Sequence, residues 1–164
     1  MVEIAQYEIA KKIDDVEIRK YPSCIMATTK LPVNDRNSAF RRVAGYIFGG
    51  NSQSKQIAMT APVVMSHAET TFTMSFIMPK EYAISDLPTP QNKDVVIKKV
   101  PKRTLAVLKY SGLMSQDRIS QKIDILLQIL KDKRIKVKGK PFFMGYNAPW
   151  TLPFLRRNEV AVEV

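Results

Sequence analysis

The chain has 164 residues, of which 45% are hydrophobic and 25% charged, proportions that suit one folded domain spanning 1–164 and exclude a disordered or low-complexity chain. A formal net charge of +11 favours anionic partners such as nucleic acid, acidic membrane or a dianionic small molecule, but the cations are dispersed and a solvated basic surface is the leading reading. The single cysteine, Cys24, excludes an intramolecular disulfide and a cysteine-built metal or iron–sulfur centre.

Residues 16–21, Val-Glu-Ile-Arg-Lys-Tyr, alternate at period two and predict the first strand. Pro22 interrupts it, and residues 24–30 predict a second strand in which Cys24 is a small buried apolar side chain. The turn at 32–35 supplies the N-cap of a helix over about residues 36–48. Its apolar face is Phe40, Val43, Ala44 and Ile47 at i, i+3, i+4 and i+7, and Gly49-Gly50-Asn51 ends it. An extended apolar segment follows over 57–65, then a polar turn containing His67. In the strand predicted over 71–78, Phe72, Met74, Phe76 and Met78 share one face, and the proline-containing stretch 83–92 is a loop.

The second half repeats this order. Strands are predicted over 95–100 and 104–110, then a helix capped by Ser115 with Ile119, Ile123, Leu126, Leu127 and Leu130 on its apolar face. Two further strands, 142–148 and 158–164, flank an apolar loop at 149–155. Each half therefore reads strand, strand, helix, strand, strand. The expected fold class is α+β: a distorted, mostly antiparallel β-barrel built from two pseudo-symmetric halves, with two α-helices packed outside. No glycine fingerprint follows a strand, which argues against a parallel dinucleotide-binding sheet.

No apolar run is long enough to cross a bilayer as a helix. Residues 1–13 lack the basic start and apolar stretch of a secretory leader, so a cytoplasmic location is the default expectation. The oligomeric state is left open.

Four stretches, in order and over nearly the whole chain, carry a resemblance. Tyr7-Glu8-Ile9 with residues 16–21 forms the opening. Residues 39–51, Ala-Phe-Arg-Arg-Val-Ala-Gly-Tyr-Ile-Phe-Gly-Gly-Asn, form the helix signature, and residues 55–63, Lys-Gln-Ile-Ala-Met-Thr-Ala-Pro-Val, follow at the expected distance. Tyr146-Asn147-Ala148-Pro149-Trp150 with Arg156-Arg157-Asn158-Glu159-Val160 forms the close. The pattern resembles the SOUL haem-binding family, and the resemblance implies non-covalent binding of haem or another tetrapyrrole. It also implies a shallow apolar groove between the first helix and the loop before the last strand. Carried over by position, one wall is Phe40, Val43, Ala44 and Ile47, and the other is Pro149, Trp150, Thr151 and Leu152. Arg41 and Arg42 are the candidates to hold the propionates, since guanidinium pairs bidentately with carboxylate. The residue types suit an apolar disc with two carboxylates. A helix packed on a barrel needs the same apolar face, which is the competing reading for Val43 and Ala44.

The metal ligand is unknown. His67 is the only histidine and falls away from the first helix, as a surface residue; Tyr46, a methionine and Cys24 are the alternatives. No Cys-x-x-Cys-His run exists for covalent attachment, and no catalytic constellation is visible, so an enzyme is the less favoured reading. Three other functions compete with haem buffering or delivery. A binding module for bulky apolar cations needs a buried carboxylate, and no isolated acid stands out inside an apolar strand. An enzyme that removes iron from haem needs a proton donor above the ring. A basic protein on nucleic acid or acidic lipid ranks last, since no recognition helix or aromatic platform is visible.

Overall fold

A computed structural model describes residues 2–148 and 150–164. Two compact units carry the contacts, one formed by Met1–Ala5 and Ser23–Pro101, the other by Gln6–Pro22 and Lys102–Val164. Each has one antiparallel sheet and one α-helix, which matches the α+β class expected from the sequence.

In the first unit, β1 (Glu3–Ile4) pairs in parallel with β5 (Thr60–Ala61), just before a cis Ala61–Pro62 bond. The antiparallel sheet runs β6 (Val63–His67), β7 (Thr71–Ile77), β4 (Cys24–Pro32), β8 (Val95–Val100). Phe72, Met74 and Phe76 alternate inward along β7, and Met78 continues the face, as the period-two pattern predicts. Helix α1 (Asn37–Ile47) covers this face and buries Ala39, Val43, Ala44, Tyr46 and Ile47 against β4 and β7.

Two local expectations are corrected. The 32–35 turn is itself a 3-10 turn at Val33–Asp35, and among the described residues no side chain caps α1; the Asp35 carboxylate instead accepts from the Ser38 hydroxyl at 2.7 Å. His67 lies at the end of β6, not in a turn, half-buried with its ring 4.8 Å from that of Phe72. Cys24, at the start of β4, is half-buried.

In the second unit the sheet order is β2 (Glu8–Ile13), β3 (Val16–Tyr21), β9 (Arg103–Tyr110), β11 (Asn158–Glu163), β10 (Phe142–Gly145), antiparallel throughout. Strand β2 escaped the periodicity because it is an exposed edge: only Ile13 is buried, and Lys11-Lys12 blunts the open side. Asp14, in the left-handed region at φ 51°, turns the chain between Ile13 and Val16. Helix α2 (Gln116–Asp132) starts where predicted, with the Ser115 hydroxyl accepting from the Arg118 N–H at 3.3 Å. It packs on β9 and β11 through Leu126 and Leu130, while Ile119, Ile123 and Leu127 are only half-buried.

The halves are not contiguous in sequence. Residues 95–100, expected to open the second half, pair with β4, and β3, expected to open the first, pairs with β9. Both β4 and β9 carry near-continuous buried runs, and a strand of that kind needs a partner on each edge.

Candidate ligand-binding site

The helix signature divides α1 into two kinds of position. Val43, Ala44 and Ile47 are core residues, 0%, 5% and 1% exposed, so they support the helix from beneath and present no surface to a ligand. Phe40 is different: it is 49% exposed, with the rim of its ring against Phe76 at a centroid distance of 5.6 Å. One helical turn beyond Ala44, Phe48 is also exposed.

Arg41 and Arg42 border a concave site of about 250 Å³ together with Gly45, Tyr46, Gly50 and the loop residues Pro90, Gln91 and Asn92. Arg41 is exposed, whereas Arg42 lies 3.7 Å from the Asp94 carboxylate. Pockets that enclose a drug-sized ligand run to roughly 300–1,000 Å³. This hollow therefore suits a carboxylate-bearing edge, not a whole tetrapyrrole disc.

The glycines of the signature shape this hollow. The Gly50 N–H donates to the Gly45 carbonyl at 2.8 Å, and a Cβ on Gly50 would meet that oxygen at 2.6 Å. Gly49 has φ 108°, a conformation that only glycine adopts without strain. Asn51, buried, fastens the turn: its side-chain amide donates to the carbonyls of Tyr46 and Lys55, both at 2.9 Å, and its side-chain oxygen accepts from the Lys55 N–H at 3.0 Å. The Tyr46 hydroxyl donates to the Pro88 carbonyl at 2.7 Å, and burial pushes its ionisation up. Tyr46 is thus buried, with its hydroxyl engaged by a backbone carbonyl.

The loop wall belongs to the second unit, the helix wall to the first. Pro149 lies outside the described residues. Trp150 is 85% exposed and Leu152 is exposed, while Thr151 is half-buried, its N–H donating to the Ala148 carbonyl at 3.0 Å and its carbonyl accepting from Arg156 Nε at 2.7 Å. Among the described residues no three His, Cys, Asp or Glu side chains gather as a metal site.

One group went unrecognised in the sequence. Glu159, inside the apolar run of β11, is fully buried and is held by two guanidinium groups. Arg19 donates to both its oxygens, at 2.9 and 2.7 Å, and also to Glu17 at 2.9 Å and to the Tyr21 hydroxyl at 3.0 Å. Arg157 donates to Glu159 Oε2 at 3.0 Å and to the Tyr7 hydroxyl at 3.0 Å, and it stacks 3.9 Å above the Tyr146 ring. Burial alone would raise the Glu159 carboxyl, but the hydrogen bonds and charges of Arg19 and Arg157 outweigh it and hold it below the usual carboxylate range. An isolated acid inside an apolar strand thus exists, correcting the sequence reading. It is already neutralised, so it is not waiting for a cationic ligand, and it stays ionised, so it is no proton donor at neutral pH. Inward charges at single positions of two strands, Arg19 in β3 and Glu159 in β11, were the available signal.

Residues 2–163 match the SOUL heme-binding protein family. The chain belongs to that family. Heme-binding protein 2 of Mus musculus is 31% identical over 156 residues, 88% of this chain and 75% of that protein. Among solved structures, the EcmrR C-terminal domain superposes with a TM-score of 0.69 over 96% of both chains at 10% identity. SAV2435 bound to tetraphenylphosphonium gives a TM-score of 0.55 over 97% of this chain and 93% of that one at 8% identity. At those identities the two structures speak for the fold alone. Residues 39–51, the stretch that resembles the family's helix signature, lie on α1 and its glycine turn, the part of the first unit that builds the hollow.

Proposed function

We propose that this chain binds haem or a related tetrapyrrole non-covalently, for buffering or delivery and not for catalysis. The observation that carries the reading is membership of the SOUL heme-binding family over residues 2–163. The geometry supports it: α1 presents an exposed aromatic ring, Phe40, and two arginines, Arg41 and Arg42, that border a concave hollow. In this reading the macrocycle lies against the first helix at Phe40, and a propionate reaches the hollow at Arg41 and Arg42. Val43, Ala44 and Ile47 act only by holding the helix in place. No protein side chain is assigned to the iron.

The test is a hemin titration followed at the Soret band. Wild type is expected to show a saturable one-to-one shift at micromolar concentration or below, about −8 kcal/mol or better. Phe40→Ala and Arg41→Glu should each weaken it with the folded state intact, and His67→Ala should leave the spectrum unchanged. Absence of a saturable shift sinks the reading.

A further inference from the structure

The longest exposed apolar stretch among the described residues lies in the second unit. Trp150, Leu152, Phe154 and Leu155 project from the loop after β10, with Phe154 71% exposed. Leu113 and Met114, on the loop between β9 and α2, are exposed as well. The two loops form one ledge: the Gly112 N–H donates to the Pro153 carbonyl at 2.9 Å, and the Asn158 side chain donates to the Gly112 carbonyl at 2.9 Å. Six large apolar side chains in water on adjoining loops are far from the scattered single exposures normal for a monomer, and mark an interaction surface.

The surroundings of the ledge are cationic. The Arg118 guanidinium lies beside Gly112, within 3.5 Å of where a Cβ there would sit, and Lys122 stands 5.5 Å over the Tyr110 ring. Lys109, at the end of β9, is exposed. Asp117 is the only carboxylate between residues 102 and 123, and there is none between 133 and 158. Apolar and aromatic tips with Arg118 beside them and Lys109 and Lys122 at the adjoining end of β9 match the boundary of an anionic bilayer, where the tips enter the acyl edge and the cations meet headgroup phosphates. A tryptophan at such a tip sits at the headgroup level.

We propose that the ledge formed by Leu113, Met114 and the 150–155 loop is an interfacial binding surface for membranes that carry anionic lipid. It does not depend on haem: Leu113 and Phe154 lie outside the residues assigned to the tetrapyrrole. Attachment through this ledge is peripheral, a few side chains deep.

Trp150 is the only tryptophan in the chain and so reports on the surface directly. The protein is titrated with phosphatidylcholine vesicles with and without phosphatidylglycerol, while its emission and its co-sedimentation are followed. With the anionic vesicles, Trp150 emission should shift to the blue and the protein should pellet, and added salt should reverse both. The double variant Leu113→Ser, Phe154→Ser should partition at least about tenfold more weakly, a loss of about 1.4 kcal/mol, with an unchanged melting temperature and unchanged hemin titration. Equal binding to neutral vesicles, or undiminished binding by the double variant, overturns the proposal. So does a blue shift that follows protein concentration without lipid, accompanied by a dimer mass in light scattering, which assigns the ledge to a second copy. Loss of hemin binding with lipid binding intact would count against the proposed function only.

Discussion

Arg19 and Glu159 meet in a two-pronged ion pair closed to water: Nη1 is 2.9 Å from Oε1 and Nη2 is 2.7 Å from Oε2, with both side chains 0% exposed. The pair ties β3 to β11 across β9, which lies between them in the sheet. Tyr7 covers the Arg19 guanidinium at 4.1 Å, so the cation is stacked on one ring as well as paired.

Removing one partner of a buried pair leaves an uncompensated charge and typically costs about 3–5 kcal/mol. Arg157 still reaches Glu159 Oε2, so Arg19→Met is expected near the lower end, about 3 kcal/mol. The double variant Arg19→Met, Glu159→Gln should be less destabilised than the sum of the singles by about 1 kcal/mol or more. Urea unfolding with an unchanged m-value measures both. Additive losses would mean the pair is not coupled in the folded state.

The same carboxylate sets a limit on acid stability. Glu159 is held below its ordinary value in the fold, so its stabilisation is complete above the unfolded pKa, about 4.3. It fades as the pH falls below that and through the lower folded value. The stability gap between wild type and Glu159→Gln should therefore be constant from neutral pH down to about pH 5 and narrow below about pH 4. Unfolding curves across this range test it, and a gap that widens in acid would refute the assignment.

Alkaline titration probes four of the six tyrosines. Burial pushes Tyr21, Tyr46 and Tyr146 up and Tyr110 up to about 12. A phenol whose folded pKa is raised stabilises fully below its unfolded value near 10 and loses that contribution as the pH climbs to the folded value. Phenolate absorbance of the native protein should stay well short of six equivalents at pH 11, then jump on unfolding in denaturant. Six equivalents before any loss of secondary structure would show these hydroxyls to be open.

Two glycines of the family signature should respond with opposite signs. Gly45 faces open space, so Gly45→Ala in the exposed helix is expected to stabilise by up to about 1 kcal/mol. Gly50→Ala drives a Cβ onto the Gly45 carbonyl oxygen and should destabilise by about 1–3 kcal/mol. Thermal unfolding of both variants is the measurement; a neutral Gly50→Ala would mean the turn gives way without cost.

The elements with a strong period were legible from residues alone. Phe72, Met74 and Phe76 predicted the inner face of β7, the stripe of α1 predicted its buried side, and Ser115 predicted the start of α2. β2 was not legible, since an exposed edge strand with adjacent lysines has no buried alternation to display. The exchange of β3 and β8 between the halves was not legible either. Edge partners are chosen by which buried strand still has open hydrogen-bonding groups, and that is a property of the assembled sheet.

For the site, the sequence by itself determined the family signature, the apolar helix stripe and the arginines beside it. Only the tertiary structure decided which of those residues can be touched: Phe40 and Trp150 stand in water, Val43, Ala44 and Ile47 do not, and Tyr46 is spent on a backbone carbonyl. It alone also paired Glu159 with Arg19, 140 residues apart in the chain. Periodicity records which way a side chain points relative to its own element. Exposure and ion pairing depend on what other elements bring to that side, and that information exists only after the chain has folded.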